Sequence, residues 1–357
     1  MKRKKYSYDW RMADQVFSKH KGSVFSCFSG GGGSSLGYLL SGYDVIGANE
    51  IDPKMLQTYH LNIQSTYTYN EPIQRMVERR EFPKPLYNLD ILDGSPPCSS
   101  FTLGGTRESD WGKEKYFKEG QVKQVLDTLF FDFIALAKKL QPKVVVAENV
   151  KGILLGSAQQ YVKKIHSDLK EAGYITQHFL FDSSTMGVPQ KRERVFFVAL
   201  RNDLATPFLK KHGFFEMVPE FVLPRTEQQI PYKQFEDTEA TEGCVYIPPL
   251  VYKYWPKVSP GQSFARVHEK KMLPSYYKID RNRVLATIDA MTNGSGPYNQ
   301  DVCRNLTLKE LCNAGTFPTD YNFGDLHPKY VVGMSVPPLM IAKIADAVYS
   351  QWLRKIK

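Results

Sequence analysis

A single thiol, Cys98, follows a short apolar segment and two prolines in Asp90-Ile91-Leu92-Asp93-Gly94-Ser95-Pro96-Pro97-Cys98. Proline fixes φ, so this turn holds the residue after it at a set angle above a strand end, where α/β sheets gather ligands. A sulfur held there is a candidate nucleophile, although a lone cysteine after a turn is more often a small buried hydrophobe. Glu148 ends a second apolar segment, Lys143-Val144-Val145-Val146-Ala147. At a sheet lip, desolvation favours the neutral carboxyl, which can donate a hydrogen bond or a proton; the plainer reading is a cap on the next turn. Arg192 and Arg194 alternate at the start of the strand Val195–Leu200, so both point to one face. A solvated charged strand end is the ordinary alternative.

A third group of residues suits a nucleoside. The segment Ser23-Val24-Phe25-Ser26-Cys27-Phe28 reads as a buried strand running into Ser29-Gly30-Gly31-Gly32-Gly33, followed by a helix through Leu36, Leu39 and Leu40 and a strand from Tyr43 to Ala48. Glycines let the backbone turn tightly and approach a ligand. Glu50, at the next strand end, stands where an acid binds ribose hydroxyls. The pattern leaves open whether the ligand is a dinucleotide or S-adenosylmethionine.

These residues need a framework, and the chain supplies alternating strands and helices. Asp52 and Pro53 read as N-cap and first residue of a helix through Met55, Leu56 and Tyr59. A helix from about Val122 to Leu140 carries Val125, Leu129, Phe133, Leu136 and Leu140 on one face. Another, Ser157 to Ala172, stops at Gly173 before the strand Tyr174–Phe181. Between Ser99 and Gln121, glycine and charge without apolar period predict a loop able to close over a substrate. The first twenty residues read as a solvated basic arm. From Arg201 to Asn299 the alternation stops, and aromatics interleave with Lys and Arg (Tyr252, Tyr254, Trp255, Arg266, Lys278), a mixture suited to phosphates and bases. At the C-terminus, Ile341, Ile344, Val348, Trp352 and Ile356 make one helical stripe expected to pack on the sheet.

Composition narrows the class. At 357 residues, 42% hydrophobic and 24% charged, the chain fits one large domain plus a smaller one, with no apolar run expected to span a bilayer and no secretory leader visible. It is expected to stay in the cytoplasm. Five cysteines without a CxxC pair argue for reduced thiols and against a zinc site, so no metal is expected. A net charge of +10 favours a polyanionic partner.

Taken together, the blocks resemble the DNA cytosine-5 methyltransferases. They run in that family's order: Phe28-Ser29-Gly30-Gly31-Gly32-Gly33, Glu50-Ile51-Asp52, Gly94-Ser95-Pro96-Pro97-Cys98, Glu148-Asn149-Val150 and Gln190-Lys191-Arg192-Glu193-Arg194. Arg304-Asn305-Leu306-Thr307 with Glu310 follows, then Gly333-Met334-Ser335-Val336-Pro337. The resemblance implies an α/β fold, a Rossmann-like S-adenosylmethionine-dependent methyltransferase sheet formed by residues 1–200 and 300–357, with a smaller target-recognition domain at 201–299. It implies that Cys98 adds to cytosine C6, that Glu148 hydrogen-bonds or protonates N3, and that Arg192 and Arg194 orient the ring and favour the thiolate. The substrate would be a cytosine flipped out of double-stranded DNA.

For S-adenosylmethionine the resemblance implies Phe28, Ser29, Gly30, Gly32 and Gly33 at the methionine and adenine ends, Glu50 on the ribose and Ile51 against adenine. Pro96, Leu129, Met334 and Ser335 complete the set. Two departures stand out. Asn70-Glu71-Pro72-Ile73 replaces the family's Gly-Asp-Ile, making Asn70 the substitute contact to the adenine amine, and Met334 replaces the asparagine of Gly-Asn-Ser-Val. The compact length points to a monomeric bacterial or phage enzyme, with a cognate restriction endonuclease as candidate partner. The rival readings are an RNA (tRNA) cytosine-5 methyltransferase of the same fold and an inactive regulatory homologue.

Overall fold

Alternation along the first strand builds two cores at once. In β1 (Ser23–Cys27), Val24 enters one apolar cluster while Phe25 and Cys27 enter another, as a strand with both faces covered requires. The computed structural model describes residues 5–97, 128–156, 158–212, 216–223 and 227–356. Cys98, the expected closing loop Ser99–Gln121 and the first turns of the helix expected from Val122 lie outside the described residues.

After β1 come α1 (Gly33–Ser41), β2 (Asp44–Asn49), α2 (Pro53–Asn62), β3 (Tyr67–Tyr69), α3 (Ile73–Glu78) and β4 (Ile91–Gly94). Then follow α4 (Leu129–Leu140), β5 (Val144–Val150), α5 (Ala158–Glu171), β6 (Tyr174–Asp182) and β7 (Glu193–Arg201). Asp52 caps α2 as expected, accepting from the backbone N–H groups of Lys54 and Met55. The strands form one seven-stranded sheet in the order β3-β2-β1-β4-β5-β7-β6. β1 to β5 run parallel, and β7 is antiparallel to both β5 and β6. Strand order reverses between β1 and β4, so the crevice beyond their carboxyl ends is the natural ligand site. Because β7 runs backwards, its first residues lie at that same edge, with Arg194 opposite Val150.

Helices α4 and α5 cover the face carrying Phe25, Leu92, Val145 and Phe197. The other face carries Val24, Ile91, Val146 and Phe196 and is covered by α1 and the C-terminal helices α8 (Leu308–Gly315), α9 (Pro328–Met334) and α10 (Pro338–Gln351). The C-terminal stripe joins the apolar cluster on this face of the sheet, with Ile341, Ile344, Val348 and Trp352 all buried in it. It packs on α1 at Gly37, where a Cβ would come 2.5 Å from the Pro338 carbonyl oxygen, so only glycine permits this helix–helix approach. Residues 328–355 are apolar and long enough to pass for a membrane span, but 78% of their most apolar window is buried inside this core.

The N-terminal arm is docked rather than solvated: Trp10 is 6% exposed and its indole N–H donates to the Thr316 carbonyl at 2.8 Å. The 201–299 stretch contains α6 (Asn202–Ala205), a hairpin of β8 (Leu209–His212) and β9 (Glu216–Pro219), α7 (Pro249–Tyr254) and the parallel pair β10 (Tyr276–Lys278) and β11 (Gly296–Tyr298). Its burial is shared. Phe208, Phe221, Ile230, Tyr232 and Leu285 join the main core, whereas Val251, Tyr254, Val258, Phe264 and Tyr298 form a small cluster of their own. Arg304 and Glu310, 1% and 0% exposed, close a bidentate pair at 2.7 and 3.0 Å, and the Glu310 carboxylate also accepts from Tyr232 and the Asp237 backbone. This pair ties the irregular stretch to α8.

Candidate active site

The glycine turn after β1 is shaped by three left-handed residues, Phe28 (φ 53°), Gly30 (φ 50°) and Gly32 (φ 87°). A Cβ on Gly30 would meet nothing within 4 Å, so the backbone there borders open space. That space is a cleft of about 930 Å³, its open mouth included. Phe28, Ser29, Gly30, Gly33, Glu50 and Ile51 line it, with Ser95, Pro97, Leu129, Met334 and Ser335.

Glu50 is 8% exposed and ties two turns together: one carboxylate oxygen accepts from the Gly30 N–H of the glycine turn at 2.8 Å, the other from the N–H of Asp52, the N-cap of α2, at 2.9 Å. Burial pushes its pKa up, against the backbone donors that lower it. Ser29 Oγ is buried and has no hydrogen-bond partner among the described residues. An orphaned hydroxyl in a cleft wall is left for water or a polar ligand to satisfy.

Three expected cofactor residues stand away from this lining. Asn70 is not among the residues that line the cleft: its Nδ2 donates to the carbonyls of Glu50 at 2.8 Å and Ile51 at 3.2 Å, bracing the turn after β2. Glu71 and Pro72 line it instead, with the Glu71 carboxylate held by Arg79 at 2.9 and 3.1 Å. Pro96 is likewise behind the wall, its carbonyl accepting from Asn149 Nδ2 at 3.2 Å, while Pro97 faces the cleft. Gly32 is occupied by packing, since a Cβ there would come 2.5 Å from Ile63 Cδ1.

At the adjoining sheet edge, Glu148 and Arg194 lie on one face of the β5–β7 pair, because Glu148 opposes Phe196 and Arg194 opposes Val150. They form an ion pair at 2.8 Å, 11% and 15% exposed. Arg192 is 4% exposed and donates to the carbonyls of Ile288 at 3.2 Å and Gly333 at 2.9 Å. Its Nε is buried with no partner among the described residues. Burial, and then the neighbouring Arg194, push its pKa down, while Glu148 pulls it up. The two guanidiniums therefore differ: one neutralises Glu148, the other ties three segments together and keeps one N–H unsatisfied. Sequence spacing gives their common face but no hint of this division.

Two further residues emerge only here. Asn149, 3% exposed, holds the Pro96 carbonyl and so fixes the turn that precedes Cys98 in the chain. Asp93, 2% exposed, sits on β4 under the site, accepting from Ser26 Oγ at 2.8 Å and Tyr38 OH at 3.1 Å. Burial raises its pKa to about 7, and Glu148 adds to that rise. A carboxylate inside the apolar run Ile91-Leu92-Asp93-Gly94 was the available signal.

With this geometry established, comparison with known proteins decides the family. A family model described as C-5 cytosine-specific DNA methylase matches residues 22–350. The chain belongs to the C-5 cytosine-specific DNA methylase family. That is a family of DNA (cytosine-5-)-methyltransferases, so the chain is grouped with enzymes of methyl transfer.

Among its relatives, the Type II methyltransferase M.DdeI of Desulfomicrobium norvegicum is 33% identical over 91% of this chain and 88% of its own length. M.Eco47II of Escherichia coli is 32% identical over 88% and 76%. M.FnuDI of Fusobacterium nucleatum is 34% identical, but the match spans 51% of this chain and 47% of that protein. In fold, the chain is similar to a structure described as a DNA modification methyltransferase encoded within an E. coli prophage, with TM-score 0.66, 19% identity and coverage of 92% and 99%. Spodoptera frugiperda DNMT2 gives TM-score 0.60 at 20% identity over 91% and 99%. The seven-stranded mixed sheet is thus the family's Rossmann-like methyltransferase fold.

Proposed function

We propose that this methylase transfers a methyl group from S-adenosylmethionine to C5 of a cytosine flipped out of double-stranded DNA, through a Cys98 adduct at C6. One observation carries the reading: a single cleft is walled both by the glycine turn with Glu50 and by Ser95 and Pro97, the residue before Cys98. In this reading donor and nucleophile share one site. The residues suit the donor, since Glu50 is placed for ribose hydroxyls, Ile51 and Phe28 for the adenine and the orphaned Ser29 hydroxyl for a polar group. When bound, S-adenosylmethionine supplies an electrophilic methyl group.

The chain's residues supply the rest. Cytosine C5 is a weak nucleophile, so the Cys98 thiolate bonds to C6 first, and the π electrons pushed toward the ring make C5 enamine-like. Glu148, beside Arg194, engages N3 and stabilises the charge that builds there. Arg192 offers its unpartnered Nε–H to a ring acceptor. After C5 takes the methyl group, its proton leaves to a base and the C5–H electrons expel Cys98 from C6, restoring the thiolate.

The 201–299 stretch is the target-recognition domain of this reading, and the rest of the chain is the catalytic body. The protein acts as a monomer in the cytoplasm of a bacterial or phage-infected cell, with a cognate restriction endonuclease as the partner a Type II system supplies. Bisulfite sequencing of DNA from cells expressing the chain tests this. The expected result is protected cytosine in one sequence context, lost with Cys98→Ser. Unprotected DNA with methylated transfer RNA would replace the DNA reading with the RNA one.

A further inference from the structure

Helix α9 is a thin wall with two different sides. Residues four apart share a helix face. Tyr330 and Met334 face the cofactor cleft. Lys329 and Gly333 face the turn Asp289–Ser295: a Cβ on Gly333 would come 2.3 Å from the Asp289 carbonyl oxygen. The Lys329 ammonium, on a residue 3% exposed, takes its hydrogen-bond acceptors among the described residues from that turn. It donates to Asp289 Oδ1 at 2.7 Å, to the Ser295 carbonyl at 2.6 Å, to Ser295 Oγ at 3.3 Å and to the Met291 carbonyl. Ser295 Oγ in turn lies 3.2 Å from both Asp289 oxygens. The turn is folded around a cation that the protein itself provides.

The other end of the same segment is stitched to the catalytic edge. The Ile288 N–H donates to Gln190 Oε1 at 2.9 Å and Thr287 Oγ1 to the Lys191 carbonyl at 2.7 Å, while Arg192 bonds both Ile288 and Gly333 of α9. Between these anchors the tip is open to solvent, with Met291 44% exposed. A buried ammonium is costly unless paired, and burial pushes this one's pKa down against the pull of Asp289. Such a group is well suited to fixing a conformation.

We propose that Lys329 is a positioning residue that couples the two substrates: by clasping Asp289–Ser295 to the back of the cofactor-lining helix, it makes a filled cleft fix the exposed tip Met291–Asn293 for DNA. The proposal deepens the reading above and rests on it. Its test uses the full chain, with Lys329→Met, which preserves side-chain length, and Asp289→Asn, which keeps an acceptor.

In the wild type, S-adenosylhomocysteine should slow backbone hydrogen exchange in residues 289–295 and tighten duplex binding by about tenfold. In Lys329→Met it should still bind within about threefold of wild type, while the exchange protection vanishes, the tightening falls below about twofold and KM for DNA rises more than kcat falls. Asp289→Asn should show the same pattern more weakly. Unchanged protection and coupling in Lys329→Met, or in Asp289→Asn if the lysine variant does not fold, would overturn the proposal. So would equal losses of cofactor binding, kcat and KM, which mark a merely structural residue. A wild type that binds S-adenosylhomocysteine and protects the turn, yet methylates no DNA, would refute the methylation reading and leave the clasp supported.

Discussion

Asp93 shows how one buried side chain can set a pH dependence for the whole fold. Its carboxyl is raised from an ordinary 3.8 to about 7, chiefly by desolvation. Protonation therefore favours the folded state: the stabilisation is fully present below the unfolded value and is lost as pH rises through about 7. Replacing it with asparagine, which is neutral at every pH, should remove that loss. Chemical denaturation at pH 5 and pH 8 should find Asp93→Asn stabilised relative to wild type by a few kcal/mol more at the higher pH, with about 3 as an upper bound. A difference independent of pH would contradict the burial argument. Met334 makes a second case at this scale. It lines the cleft yet is 42% exposed, offering an apolar chain where an amide could hydrogen-bond. Met334→Asn should tighten S-adenosylmethionine binding by about two- to tenfold, one net hydrogen bond, as read by calorimetry. An unchanged dissociation constant would remove Met334 from any account of cofactor affinity.

At the scale of elements, the reversed strand β7 does most to assemble the site. Running against β5, it brings Arg194 diagonally across from Glu148, and the following residues of β5 reach back to the Pro96 turn through Asn149. Asn149→Ala should free that turn, leaving the Pro96 carbonyl without this donor. Loss of such a bond costs about 1–3 kcal/mol, so kcat should fall about five- to hundredfold while cofactor affinity stays within about threefold. Single-turnover kinetics beside calorimetry would separate the two.

The sequence made much of this framework legible. Apolar runs marked β1, β4 and β5, and Asp52-Pro53 announced the start of α2, because those signals are local. Tyr67–Tyr69 is an edge strand of three residues, too short for a period to show, and it was not foreseen. The site was legible in its residue types and less so in its contacts. The bond from Asn70 to the backbone at the end of the neighbouring strand depends on the pairing of β3 with β2, and the separate duties of Arg192 and Arg194 depend on Ile288 and Gly333, about a hundred residues or more downstream.

For the whole molecule, the irregular 201–299 stretch is bound to the rest of the chain by shared burial and by the Arg304–Glu310 pair, so the two should unfold together. Arg304→Met leaves Glu310 buried without its cation and should destabilise the protein by about 3–5 kcal/mol, measured as a lowered midpoint of a single unfolding transition. Two separated transitions would show the 201–299 stretch to be an independent unit. The central claim, however, is chemical: that the Pro96-Pro97 turn presents a nucleophile to a cytosine beside the donor cleft. Its most direct measurement uses a duplex carrying 5-fluorocytosine at the target base found by bisulfite sequencing. Fluorine cannot leave as the C5 proton does, so the purified protein and S-adenosylmethionine should yield a covalent protein–DNA species on a denaturing gel, absent with Cys98→Ser. A duplex that is methylated when it carries cytosine but never becomes attached when it carries 5-fluorocytosine would contradict the account.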